Sequence, residues 1–126
     1  MNVLSICNLS KSFGEQKIIK NLNLSGPEGS VFGFIGQNGA GKTTTMKMVL
    51  GLLQPDEGEI RVCNEPVRFG QTKTNQYIGY LPDVPEFYNY MTAIQYLTLC
   101  GKLSGCQKNH FSKRTKATFP CRSGWR

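Results

Sequence analysis

Gly36-Gln37-Asn38-Gly39-Ala40-Gly41-Lys42-Thr43 has the spacing G-x-x-x-x-G-K-[ST], and its reading decides the fold. Just before it, residues 31–35 (Val-Phe-Gly-Phe-Ile) form a short apolar run, the pattern of a strand buried on both faces. Just after it, Met46, Val49, Leu50 and Leu53 recur at i, i+3, i+4 and i+7, one face of a helix over 42–53. A glycine-rich loop between strand and helix suits anionic oxygens. Glycines let successive N–H groups bend toward one concavity, and the helix start adds unpaired N–H groups and the positive end of its dipole. Lys42 can then reach the outer phosphates of a nucleotide, Thr43 can join a magnesium shell, and Thr44 can donate to an inner phosphate oxygen. The candidate phosphate-binding set is Gly36, Asn38, Gly39, Ala40, Gly41, Lys42, Thr43 and Thr44, with Mg2+ expected at Thr43.

Outward from the loop, residues 3–7 alternate as a strand and 8–14 read as a turn. A second strand is expected over 17–24, with a turn at Ser25-Gly26-Pro27-Glu28-Gly29. Pro55 should stop the helix, and Pro55-Asp56-Glu57-Gly58 should turn the chain into a strand over 59–63. Residues 77–81 read as another buried strand ended by Pro82, followed by an aromatic loop over 83–90. Thr92 and Gln95 form a capping box for a helix carrying Tyr96, Leu97, Cys100 and Leu103 at helical spacing. Strands alternating with helices argue an α/β fold with an antiparallel component near the N-terminus.

Composition narrows the classes. The chain has 126 residues, enough for one small domain or a piece of a larger one. Its hydrophobic share of 39% supports a packed core. No stretch reaches the roughly 18 apolar residues that cross a bilayer, and no leader peptide opens the chain, so no membrane anchor of its own is expected. The five cysteines, an odd count without a C-x-x-C pair, read as reduced thiols. Cys100, Cys106 and His110 match no zinc spacing. The net charge of +7 is unevenly placed. Residues 1–100 hold all eight acids and eight of the bases, whereas 101–126 hold the other seven bases and no acid.

Lys11-Ser12-Phe13-Gly14, Lys17-Ile18-Ile19, the loop with its following threonines, Gly51-Leu52-Leu53-Gln54-Pro55-Asp56-Glu57-Gly58-Glu59-Ile60 and Ile78-Gly79-Tyr80-Leu81-Pro82 together resemble the start of an ABC transporter ATP-binding subunit. The resemblance covers roughly residues 2–105. It implies the N-terminal half of a P-loop NTPase nucleotide-binding domain, an α/β fold with an antiparallel β piece and an incomplete central sheet. By the same resemblance Phe13 stacks on adenine, and residues 36–44 hold the phosphates of ATP. Asp83 stands where most relatives carry a glutamine that touches Mg2+, so Lys42 and Asp83 are the catalytic candidates and Thr43 and Asp83 the metal candidates. Residues 85–90 fall in the region that contacts the membrane partner.

The resemblance further implies an ATP-binding, ATP-hydrolysing subunit that drives a membrane transporter. The Leu81-Pro82-Asp83 neighbourhood points to an exporter. Its partners would be a separate transmembrane subunit and, in the full-length parent, a second ATP-binding subunit, identical or not. Its place would be cytoplasmic, peripheral on the inner face of the membrane. Several family features are missing. No acid follows Glu86, so no Walker B strand ending in two acids is present. Leu103-Ser104-Gly105-Cys106-Gln107 imitates the signature segment but comes too early, as does His110 for the switch histidine. Turnover by these residues alone is therefore not expected.

The expected organisation is a partial ATP-binding domain over 1–105 and a basic tail over 106–126. The tail loses apolar periodicity and reads as translated out of frame. A functional basic arm for nucleic acid or a membrane surface and a merely solvated tail are the alternatives, and nucleic acid is not the expected partner. A non-catalytic nucleotide-binding module is the second functional class. Sequencing the coding DNA tests the tail: a one-nucleotide shift past codon 105 should restore a helical apolar pattern, and an intact upstream frame that simply ends contradicts the reading.

Overall fold

A computed structural model describes residues 1–82, 84, 86–103 and 105, in two compact units, one over Met1–Tyr80 and one that begins at Leu81. The first is built on one long strand with a fault in it. Strand β1 (Asn2–Phe13) runs between β2 (Gln16–Pro27) and β3 (Glu57–Val62), antiparallel to both, and the two-residue β4 (Glu65–Pro66) closes the order β2-β1-β3-β4. The sequence places Leu4 and Ile6 on one face, which by strict alternation would send Asn8 inward and Leu9 out. The strand instead bulges. Between Ile6↔Leu24 and Leu9↔Leu22, β1 advances three residues to two on β2, and between Cys7↔Glu59 and Ser10↔Glu57 it does the same against β3. Asn8 takes up the extra residue at φ 50, in the left-handed region that Asn tolerates. Its amide is satisfied by Asn23 Oδ1 at 2.9 Å. Opposite, β2 bulges at Asn21 (φ 48), whose N–H donates to Ser10 Oγ at 3.1 Å.

The slip puts both Ile6 and Leu9 in the core, with Ile19, Ile60 and Met48. Helix α1 (Lys42–Val49) lays Thr45 and Met48 inward, with Val49 and Leu53 packed at the margin. The buried stripe therefore passes through Thr45 and Met48, and Met46, expected inside, is 42% exposed. The helix also ends earlier than 53, its last turn closed by Leu50 N–H to the Met46 carbonyl and Gly51 in a left-handed conformation.

Other expectations shift for reasons of pairing. The turn over 8–14 shrinks to Gly14–Glu15, because the bulge lets the strand continue to Phe13. The turn at 25–29 shrinks to Glu28 and Gly29, because Ser25 and Pro27 pair with Ser5 and Asn2. Strand β3 starts at Glu57, two residues early, because Glu57 pairs with Ser10. Residues 31–35 do not form a strand, and Val31 and Ile35 are almost wholly exposed. A strand exists only through the ladder it shares, and every strand pairing among the described residues lies in the β2-β1-β3-β4 sheet. The same holds for 77–81, where a 3-10 turn (Lys73–Tyr77) leads into unpaired chain and Tyr80 and Leu81 stay exposed. Phe34 and Tyr80 instead line an apolar cavity of about 380 Å³ shared with Leu4, Ile6, Thr45 and Val49.

In the second unit, α2 (Ala93–Leu103) starts as expected. Thr92 N–H donates to Gln95 Oε1 at 2.9 Å and Gln95 N–H to Thr92 Oγ1 at 3.3 Å, a reciprocal capping box. Tyr96, Leu97 and Cys100 form a half-buried face, whereas Leu103 is exposed. Phe87 meets Tyr96 edge-on with ring centroids 5.1 Å apart. The basic tail over 106–126, with Cys106 and His110, lies outside the described residues.

Two substitutions probe this architecture. Gly58 sits at φ +88, and a β-carbon there would lie 2.5 Å from both the Cys7 and the Asn8 carbonyl oxygens. Gly58→Ala should cost about 1–3 kcal/mol and lower the thermal midpoint by several degrees, read by circular dichroism. Thr92→Ala should cost about 1 kcal/mol of α2 stability, read as faster amide exchange in its first turn.

Candidate functional site

The loop at 36–43 is shaped by its neighbours in β2. Gly41, the residue before α1, is buried at φ 91 and ψ 10. A β-carbon on it would lie 2.9 Å from Ile19 Cγ1 and 3.1 Å from Ile18 Cγ2. Backbone conformation and packing therefore both require glycine. The Gly41 carbonyl accepts from Thr45 N–H and from Thr45 Oγ1, each at 2.8 Å, which closes the first helical turn. Ala40 N–H donates to the Gln37 carbonyl at 3.1 Å, so the loop also turns tightly ahead of Gly41. Gly39 stands at φ +81.

Lys42 bends back over the loop. Its ammonium donates to the Gly36 carbonyl and, at 2.8 Å, to the Gln37 carbonyl. An ammonium has three donors, so two hold the loop and one is left for an anion. The amides of the first helical turn have no acceptor within the helix and are suited to the same ligand. Thr43 is exposed and Thr44 half-buried at that turn. The donors fit a polyphosphate: several N–H groups, one cation and no carboxylate within the loop itself.

Phe13, at the end of β1, is 51% exposed, with the Lys11 ammonium 5.6 Å from its ring centroid. The hairpin register ties it to the loop, because Phe13 pairs with Gln16 and Lys11 with Ile19, which packs on Gly41. The structure thus brings the base candidate Phe13 and the phosphate candidates Gly36, Asn38, Gly39, Ala40, Gly41, Lys42, Thr43 and Thr44 into one unit. Asp83 lies outside the described residues. Among the described residues no three His, Cys, Asp or Glu side chains cluster as a metal site.

Three contributors are not marked as such by the sequence. Ile18 and Ile19 wall the loop, and adjacent β-branched residues in a strand were the only hint of it. Asp56, read as a turn residue, accepts from Lys11 Nζ and from Ser12 N–H, both at 2.7 Å. These bonds, the Lys11 one foremost, hold its carboxyl below the usual carboxylate range. No local pattern marks a contact across 44 residues.

Known proteins resemble this chain over most of its length. The family described as ABC transporter matches residues 19–118. The bacitracin transport ATP-binding protein BcrA of Bacillus licheniformis is 36% identical over 108 residues, 86% of this chain and 35% of that protein. The Nod factor export ATP-binding protein I of Ralstonia nicotianae is 33% identical over 112 residues, 89% of this chain and 35% of that protein. A solved structure, of the ATP binding subunit of an ABC transporter, superposes with a TM-score of 0.81 at 27% identity, covering 89% of this chain and 47% of that one. The chain spans about a third of the length of these curated relatives. With a glycine-rich loop opening α1, an aromatic at the hairpin tip and this extended match, the chain belongs to the ABC transporter ATP-binding family.

Proposed function

We propose that this chain is the nucleotide-binding half-site of an ABC-type ATPase whose complete form couples ATP binding and hydrolysis to membrane transport, in the export direction. The observation that carries the reading is the loop itself, with Gly41 held left-handed against Ile18 and Ile19 and Lys42 anchored on the Gly36 and Gln37 carbonyls. In that arrangement the loop amides and the free donor of Lys42 bind the phosphates of ATP, and Phe13 stacks on the adenine. Thr43 would hold Mg2+, which neutralises charge on the phosphate oxygens, and by the family resemblance Asp83 is the other candidate ligand. The export direction is supported by the Leu81-Pro82-Asp83 neighbourhood and by the likeness to a Nod factor export protein.

The complete assembly includes a separate transmembrane subunit and a second ATP-binding subunit. No described helix is long and apolar enough to cross a membrane, which suits a subunit held at the inner face by such a partner. The aromatic stretch with Phe87, Tyr88 and Tyr90, all exposed, is the surface assigned to that contact. A second reading, nucleotide binding without turnover, is favoured for these 126 residues by one observation. No acid follows Glu86, so the catalytic carboxylate that the family resemblance implies is not among them.

Calorimetry with Mg-ATP tests both readings. The chain should bind, Lys42→Ala should weaken binding about tenfold to a hundredfold, and phosphate release should stay at background. Equal binding by wild type and Lys42→Ala contradicts the site, and Lys42-dependent turnover contradicts the binding-only reading.

A further inference from the structure

Three consecutive residues of β1 grip one carboxylate-bearing residue, Asp56, just ahead of β3. Asp56 donates its own N–H to the Ser10 carbonyl at 3.0 Å. Its two carboxylate oxygens then accept separately, Oδ1 from Lys11 Nζ and Oδ2 from the Ser12 N–H, each at 2.7 Å. The Lys11 side chain is only 13% exposed, and its ammonium is shared between this carboxylate and the ring of Phe13. The next residue along the strand is Phe13, whose ring has this pinned cation over one face. About half of the Phe13 surface remains open.

An ion pair with an exposed partner contributes little to stability. Its geometry does more here. A phenylalanine at a hairpin tip ordinarily samples several rotamers, and each must be given up when a base stacks on it. A backbone bond to Ser12 and a cation fixed near the ring both reduce that freedom before the ligand arrives.

We propose that Asp56 is a positioning residue for the base half of the nucleotide site, acting through Lys11 and Ser12 to pre-set the ring of Phe13. The proposal rests on the reading of Phe13 as the base-stacking residue. It separates two jobs within one site. The loop at 36–43 senses phosphates, while the Asp56 clamp acts only on a ligand that has a base. Removing the carboxylate charge also leaves Lys11 uncompensated, which favours anions of any kind.

The test compares Mg-ATP with Mg-tripolyphosphate, which has the phosphates and no base, by calorimetry on the full chain. Asp56→Asn should weaken Mg-ATP binding about threefold to tenfold, the range that one aromatic stack commands, and leave tripolyphosphate unchanged or tighter. In a Phe13→Ala background the same substitution should cause no further loss. Equal losses for both ligands, or a full additional loss without Phe13, overturn the proposal. If Phe13→Ala alone leaves Mg-ATP binding intact, the stacking reading is what fails. A ligand-free arm reads the clamp directly. In Phe13→Trp with the native Trp125→Phe, adding Asp56→Asn should lower indole anisotropy, and an unchanged value overturns the clamp whether or not either ligand binds.

Discussion

One extra residue in β1 sets the phase of everything around it. With Asn8 in the left-handed region, Ile6 and Leu9 both face α1, although three positions apart in a strand would place them on opposite faces. The fault is supported on every side. Asn23 satisfies the displaced amide, Asn21 compensates in β2, and Gly58 leaves room in β3 for the Cys7 and Asn8 carbonyls. Without the bulge, the strand beyond residue 8 would turn its apolar side to solvent.

The same phase governs the site. Because β1 continues past the bulge, Ser10, Lys11 and Ser12 arrive together at Asp56, and Phe13 stands at the hairpin tip. Because β2 is registered against it, Ile18 and Ile19 meet Gly41. The loop and the aromatic are thus fixed to a common hairpin, and a small sheet with one short helix suffices to hold them. The central strands that would flank 31–35 and 77–81 are not among the described pairings. The two segments expose Val31, Ile35 and Leu81 and line an apolar cavity instead.

Much of this was legible from residue order. The glycine spacing of the loop, the helix behind it, the Thr92–Gln95 cap and the N-terminal antiparallel pair all depend on contacts a few residues apart, or on a motif whose chemistry is local. The buried helical face lies one step off the apolar pattern of the sequence. Met46 looked as apolar as Met48, and only packing against Ile6 and Leu9 decided which of them was covered.

The sequence by itself determined that a glycine-rich loop with the spacing of a phosphate-binding motif opens a helix, that an aromatic stands in the turn region between the first two strands, and that all acids lie within the first 86 residues. The tertiary structure alone decided where β1 slips, which residues wall Gly41, and that Asp56 reaches back to Lys11 and Ser12. Local patterns record what a residue does to its neighbours in the chain. A bulge, a wall and a clamp are settled between strands, where register rather than order determines which atoms meet.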